Sequence, residues 1–272
     1  MKVSVLISIY YKEKPEYLDE ALNSIVNQTL KPEQIVIVKD GKLTNELDFV
    51  LNKYKESYNK LIDIYELEKN MGLGNALNFG IEKCRNEYIA RMDTDDIAPI
   101  YRLEEQAKIM EMNPDLDILG GYIEEYDEKM EKVLSIRTVP LTMEEIKNFI
   151  KTQCPFNHGS VMFKKQAVIK SGSYNDVKLE DYDLWARMLK NNCKMANIDI
   201  VLNKMRTGEE LYKRRNGIGY VKKVIEIENK LLEYNIINKF EYIKNIFIRV
   251  NIALIPVKIK KWIYINIIRK YK

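Results

Sequence analysis

Short apolar runs alternate with stretches of helical spacing through the first 110 residues. Val3-Ser4-Val5-Leu6-Ile7-Ser8-Ile9 and Gln34-Ile35-Val36-Ile37-Val38 are apolar on both faces, the pattern of buried parallel strands. Between them Pro15 opens a helix running to about Asn27, with Leu18, Leu22, Ile25 and Val26 on one side. A helix from about Leu47 to Tyr58 precedes a strand from Leu61 to Tyr65. The glycine-punctuated loop Asn70-Met71-Gly72-Leu73-Gly74 then leads into a helix ending near Cys84. Tyr88-Ile89-Ala90 is a further buried strand, followed by a helix from about Pro99 to Met112. Four consecutive strand–helix units predict an α/β fold, with a largely parallel central sheet flanked by helices and ligands at the carboxyl ends of the strands.

The second half is less regular. Ile118–Glu124 and Val133–Val139 read as strands joined across Asp127-Glu128-Lys129. Met143–Ile150 reads as a helix, Ser160–Phe163 as a strand, Lys165–Lys170 as a short helix, and Glu180 starts a helix reaching about Lys190. From Leu211 the spacing is helical to the end, broken near Asn235 and Pro256. The expected organisation is a nucleotide-binding and catalytic domain over 1–205 and a helical extension over 206–272. A chain of 272 residues can bury a large core for such a domain.

Charge changes this picture only at the end of the chain. The net charge is +4, yet after Glu241 there is no acid, against Lys244, Arg249, Lys258, Lys260, Lys261, Arg269, Lys270 and Lys272. Ile243, Ile246, Phe247, Val250 and Leu254 fall on one helical face, opposite Lys244, Asn245 and Arg249. Beyond Pro256, Ile259, Trp262, Ile263, Ile267 and Ile268 mix with six cations. Basic amphipathic helices suit an anionic membrane surface; the same faces could instead pack on the domain or on another subunit. Basic residues alone are a weak case for nucleic acid, which is not an expected partner. Cys84, Cys154 and Cys193 are odd in number and widely spaced, which suits a reducing compartment and neither a disulfide framework nor a zinc site. The apolar run at the N-terminus is too short for a signal peptide. The uncharged stretch between Arg249 and Lys258 is far short of the roughly 20 residues that span a bilayer. The expected location is cytoplasmic, peripheral on the inner face of the cell membrane.

The densest chemistry is Arg91-Met92-Asp93-Thr94-Asp95-Asp96, directly after the fourth strand. Three carboxylates so close repel one another unless a cation sits among them, and hard Asp oxygens suit Mg²⁺ or Mn²⁺. An acidic turn capping the next helix would give the same pattern. Neither G-x-G-x-x-G nor G-x-x-x-x-G-K-[ST] occurs, so a dinucleotide fold and a P-loop are both disfavoured. Ser8–Tyr10, Asp40 and Asp93–Asp96 all fall at the carboxyl ends of predicted strands.

Five pieces in order resemble the family 2 glycosyltransferases of GT-A fold: Val5–Tyr10, Ile35–Gly41, Asn70–Asn78, Asp93–Asp96, and Glu180-Asp181-Tyr182-Asp183-Leu184-Trp185. The resemblance covers about residues 1–205. It implies a metal-dependent, inverting enzyme that moves one sugar from a nucleotide sugar, usually UDP-linked, to a hydroxyl of a growing polysaccharide or lipid-linked oligosaccharide. Asp40 would bind the base, Ser8 and Tyr10 with Ile9 between them would line its pocket, and Asn70 and Gly72 would approach the nucleotide. Asp93 would contact ribose or sugar, Asp95 would ligate Mn²⁺ or Mg²⁺, and Asp181 would be the catalytic base. Lys39 and Tyr11 depart from the family's frequent Asp and Asn. The Q-x-x-R-W motif of processive synthases is absent, which implies one sugar per encounter.

Around these positions the residues themselves leave choices open. His158, the one histidine, could meet the metal or simply pack; Asp93 could join Asp95 as a ligand; Arg91 could pair with the acids, Asp96 among them, or reach a phosphate. Glu180 and Asp183 would raise the Asp181 pKa if their side chains converge on it, whereas acids at a helix start can serve the dipole alone. Gly74 reads as a turn residue and Trp185 as core. Two other functions remain: a catalytically silent nucleotide-sugar-binding subunit, and a sugar-nucleotide nucleotidyltransferase, whose glycine-rich signature is missing.

Overall fold

A computed structural model describes residues 1–208 and 216–255. The strands are β1 (Val3–Ile9), β2 (Gln34–Lys39), β3 (Ile62–Glu66), β4 (Tyr88–Met92), β5 (Ile118–Tyr126), β6 (Val133–Arg137), β7 (Met162–Lys164) and β8 (Met195–Arg206). The helices are α1 (Pro15–Val26), α2 (Asn45–Ser57), α3 (Leu73–Lys83), α4 (Arg102–Met112), α5 (Met143–Phe149), α6 (Lys165–Lys170), α7 (Glu180–Lys190), α8 (Gly217–Glu233) and α9 (Lys239–Leu254). All strands join one sheet in the order β3-β2-β1-β4-β7-β5-β6, with β8 paired to β5 beside that path.

The first four strands are parallel, as their two-sided apolarity predicts. Beyond β4 the sheet turns mixed: β7 runs antiparallel to β4 and β5, β6 antiparallel to β5, and β8 parallel to β5. Alternate residues of β1 serve opposite layers. Val3, Val5, Ile7 and Ile9 pack with Leu18, Leu22 and Ile25 of α1, Leu47 and Leu51 of α2, and Leu103 of α4. Leu6 packs on the other side with Ala76 and Leu77 of α3 and with Leu184 and Trp185 of α7. The sheet is thus covered on both faces, and its strand ends are left to carry chemistry.

Two of the boundaries move for local reasons. Helix α4 starts at Arg102 rather than Pro99, because the Pro99 carbonyl accepts from Arg102 N at 3.0 Å and from Gln28 Nε2 at 2.8 Å. Strand β7 starts at Met162, because His158–Ser160 form a 3₁₀ turn. The turn between β5 and β6 is built by Asp127, whose Oδ1 accepts from Glu131 N and Lys132 N. Strand β8 was not expected at all. Two register shifts around Tyr122 interrupt its pairing with β5, so its inward set includes Asn197 and Asn203 and no clean alternation survives in the sequence.

Helix α8 and the turn that follows it share the core of the sheet domain. Ile227 and Leu231 of α8, with Ile237, belong to the same buried cluster as Trp185 and Met188 of α7. The break at Asn235 is a residue with φ of 60°, a conformation Asn tolerates. Helix α9 packs by its polar side. Asn245 is buried and Arg249 pairs with the fully buried Glu228 of α8, while Phe240, Ile243, Phe247 and Leu254 are exposed. The stretch beyond Pro256 lies outside the described residues.

Candidate active site

Strands β1, β2 and β4 end together, Ile9 level with Lys39 and Ile7 level with Met92. Ser8, Tyr10, Asp40 and Asp93 therefore share one edge of the sheet. Ile9 turns its side chain into the core at 1% exposure, so only its backbone is available there; its carbonyl accepts from Asp40 N at 2.7 Å. The Asp40 carboxylate accepts from Met71 N at 2.6 Å and Gly72 N at 3.0 Å, and its carbonyl from Asn70 Nδ2 at 3.3 Å. These bonds fold the 70–72 loop over the end of β2. Gly72 needs its φ of 86° to make that turn, and the space where a Cβ would stand is open.

The three carboxylates after β4 have separate surroundings. Asp93, half-buried, pairs its Oδ2 with the buried Arg91 guanidinium. Asp96 is buried, its Oδ2 accepting from Asn203 Nδ2 at 2.5 Å and its Oδ1 from Arg206 N at 3.3 Å. Burial, then the charges of Asp95 and Asp93, hold its carboxyl well above the usual range. Asp96 thus ties the loop to β8. Asp95, half-buried, stands between them. Among the described residues no three Asp, Glu, His or Cys side chains form a metal cage. Asp93 and Asp95 fit a hard divalent ion that draws its other ligands from water and a diphosphate.

The His158–Ser160 turn closes against these acids. A Cβ on Gly159 would lie 2.9 Å from Asn203 Nδ2, 3.0 Å from Asp93 Oδ2 and 3.2 Å from Asp96 Oδ2, so only glycine lets the turn approach. His158 pairs its Nε2 with the Tyr174 hydroxyl at 2.8 Å and packs edge-on to Trp185. Burial, then the charge of Arg91, pushes its pKa well down and keeps the imidazole neutral.

Glu180 and Asp181 open α7, where a helix dipole favours acids. Burial, then the Asp181 charge, pushes the Glu180 carboxyl up to about 7. One oxygen of Asp181, Oδ2, accepts from the Cys154 thiol at 3.6 Å, and burial keeps that thiol protonated. Asp183 does not converge on Asp181. It is fully buried, bound by Asn175 Nδ2 at 2.8 Å, Arg187 Nε at 2.9 Å and Tyr234 Oη at 2.8 Å. Tyr174 pairs with His158 and lies, with Glu180, against Gly74, so it joins the 158–160 turn to the start of α7. Tyr174, Cys154, Gly159 and Asn203 carried no sequence signal. Each matters through a contact made across the fold.

Residues 4–177 match the family described as Glycosyl transferase family 2. The chain belongs to that family. The matched segment of this glycosyltransferase holds Asp40, the β4 acids and His158 and stops short of Glu180-Asp181. A UDP-Gal:alpha-D-GlcNAc-diphosphoundecaprenol beta-1,3-galactosyltransferase of Escherichia coli is 38% identical over 271 residues, 99% of this chain and 98% of that one. This similarity runs through α8 and α9. The S. aureus TarS 1–349 structure with UDP-GlcNAc superposes with a TM-score of 0.66 at 20% identity, over 92% of this chain and 72% of that one. Against another S. aureus TarS structure the chain covers 43% of that longer chain. The mannosyltransferase PcManGT of Pyrobaculum calidifontis, in complex with GDP-Man and Mn²⁺, gives 0.64 at 14% identity over 92% and 69%. The fold is GT-A.

Proposed function

We propose that this glycosyltransferase moves a single sugar from a UDP-sugar, with inversion, to a hydroxyl of a lipid-linked oligosaccharide or growing polysaccharide. What supports the reading is that the 158–160 turn meets Asp93 through Gly159 and Tyr174 through His158, while Tyr174 and Glu180 both lie against Gly74. The E. coli relative's name gives a UDP-sugar donor and a lipid diphosphate acceptor, and its similarity spans the whole chain.

The donor base sits at the ends of β1 and β2, where Asp40, Ser8 and Tyr10 stand and where Asp40 shapes the 70–72 loop. Asp93 and Asp95 would hold Mn²⁺ or Mg²⁺, and such an ion would supply Lewis-acid stabilisation of charge on a diphosphate leaving group. Arg91 orients Asp93. Asp181 takes the proton of the acceptor hydroxyl; that oxygen bonds to the anomeric carbon as the carbon–oxygen bond to UDP breaks. General-base help of this kind contributes about 10²–10⁴-fold. Cys154 fixes one Asp181 oxygen while the reaction uses the carboxylate. With a lipid-linked acceptor the enzyme would work at the membrane surface, and the expected inner-face location would put α9 toward the lipid.

The test is release of nucleoside diphosphate from UDP-, GDP-, dTDP- and CMP-sugars with Mn²⁺, Mg²⁺ or EDTA. UDP release from one donor, lost with EDTA and in Asp95→Asn, is expected. In Asp181→Asn turnover should vanish while UDP binding measured by calorimetry persists. Metal-independent release, or no metal-dependent binding of any nucleoside diphosphate, sinks the reading.

A further inference from the structure

Helix α7 does not fix Asp181 alone. The three residues that follow Glu180 are each tied elsewhere: Asp181 to Cys154, Tyr182 Oη to the Ile150 carbonyl at 2.6 Å, and Asp183 to Tyr234 at 2.8 Å. Tyr234 is the residue that ends α8. The loop carrying Ile150 and Cys154 is in turn held by α9. Asn245, buried in α9, donates from Nδ2 to the Lys151 carbonyl at 2.7 Å and to Glu228 Oε2 at 3.1 Å, and Glu241 accepts from Lys151 Nζ at 3.0 Å. The Arg249 guanidinium pairs with Glu228 at 2.5 Å and lies 5.7 Å from the centre of the Tyr182 ring. Both walls beside Asp181, the first turn of α7 and the 150–154 loop, are thus fastened to the C-terminal helices.

We infer that α8 and α9 set the position of the Asp181 carboxylate, with Tyr234 and Asn245 as positioning residues acting through Asp183 and the 150–154 loop. The inference rests on Asp181 being the base. The nucleotide end of the site is built by β1, β2, β4 and the 70–72 loop, whereas the hydrogen bonds of these two residues go to Asp183, the 150–154 loop and Glu228. Loosening α8 or α9 therefore affects the chemical step and leaves donor binding intact.

The experiment uses the full chain with Tyr234→Phe and Asn245→Ala. Two quantities are read: kinetics of UDP release from UDP-galactose, and the rate at which iodoacetamide labels each cysteine, resolved by peptide mass. Displacing a reacting group by about 1 Å from a distance can cost about 10²-fold, so kcat should fall at least about tenfold while donor KM holds. Removing a buried hydrogen bond should speed local opening and Cys154 labelling about tenfold, with the buried Cys84 and Cys193 unchanged. Unchanged Cys154 labelling, or an unchanged kcat, overturns the inference. Uniform acceleration of all three cysteines would reduce the two residues to general stability and also overturn it. Where the parent chain shows no metal-dependent binding of any nucleoside diphosphate, the functional reading fails and the labelling alone decides whether α8 and α9 hold the 150–154 loop.

Discussion

Glu180 carries a stability cost that the enzyme tolerates at its site. Its carboxyl titrates at about 7 in the fold against 4.5 in an open chain. Between those values the folded state binds more protons than the unfolded one, so stability falls as pH rises through that window. Above it the loss is on the order of 3 kcal/mol. Glu180→Gln should reduce the slope to which Asp96 also contributes: urea midpoints at pH 5 and pH 8 would lie closer together in the variant than in the parent, both in EDTA. Equal slopes would mean that Glu180 is solvated at the site. Gly159 supports a second expectation. Gly159→Ala drives a Cβ against Asn203, Asp93 and Asp96, so donor turnover should fall about tenfold or more while the protein stays folded by circular dichroism. Full activity would show that the turn can back away. The placement of Asp40, the β4 acids and Glu180-Asp181 at the ends of strands or at the start of a helix was legible from the spacing of the elements around them. The condition set for Asp183 is not met, because adjacency along a helix start says nothing of direction: successive side chains lie about 100° apart, and this one points to Arg187.

At the scale of elements, two-sided apolar runs made β1 to β4 readable, and amphipathic spacing gave their helices. Strand β8 hid behind its bulges. Helix α9 was legible as amphipathic, yet spacing alone does not tell which face packs. Its inward face works because Arg249 and Asn245 satisfy Glu228, which is fully buried on α8. Removing one partner of a buried pair typically costs about 3 kcal/mol, because the other charge stays behind without it. Arg249→Ala should therefore destabilise by about that much in urea unfolding. Phe247→Ala, at a side chain 71% exposed, should change stability by less than about 0.5 kcal/mol. The reverse order would mean that the apolar face is the packed one in solution.

For the whole molecule, the consequence of that inversion is an apolar stripe left facing outward. No helix of the described residues is long and apolar enough to cross a membrane. Phe240, Ile243, Phe247 and Leu254 still lie exposed along α9, in a segment that has no acid after Glu241. Such a helix can lie in the interface with its apolar side among the acyl chains, and each nearby Lys or Arg adds about 1 kcal/mol toward an anionic leaflet. Binding there would present the site to a lipid-linked acceptor in the plane of the bilayer, which replaces a three-dimensional search by a two-dimensional one. The expectation is co-sedimentation with phosphatidylglycerol vesicles, weaker with phosphatidylcholine alone and weakened by salt as screening shortens the reach of the charges. Phe240→Asp with Phe247→Asp should abolish vesicle binding and spare UDP release in solution, since neither side chain touches the strand-end site. Transfer to a vesicle-borne acceptor would then fall while donor hydrolysis held. Retained vesicle binding in the double variant would move the attachment away from α9, and the acceptor would have to reach the enzyme by another surface.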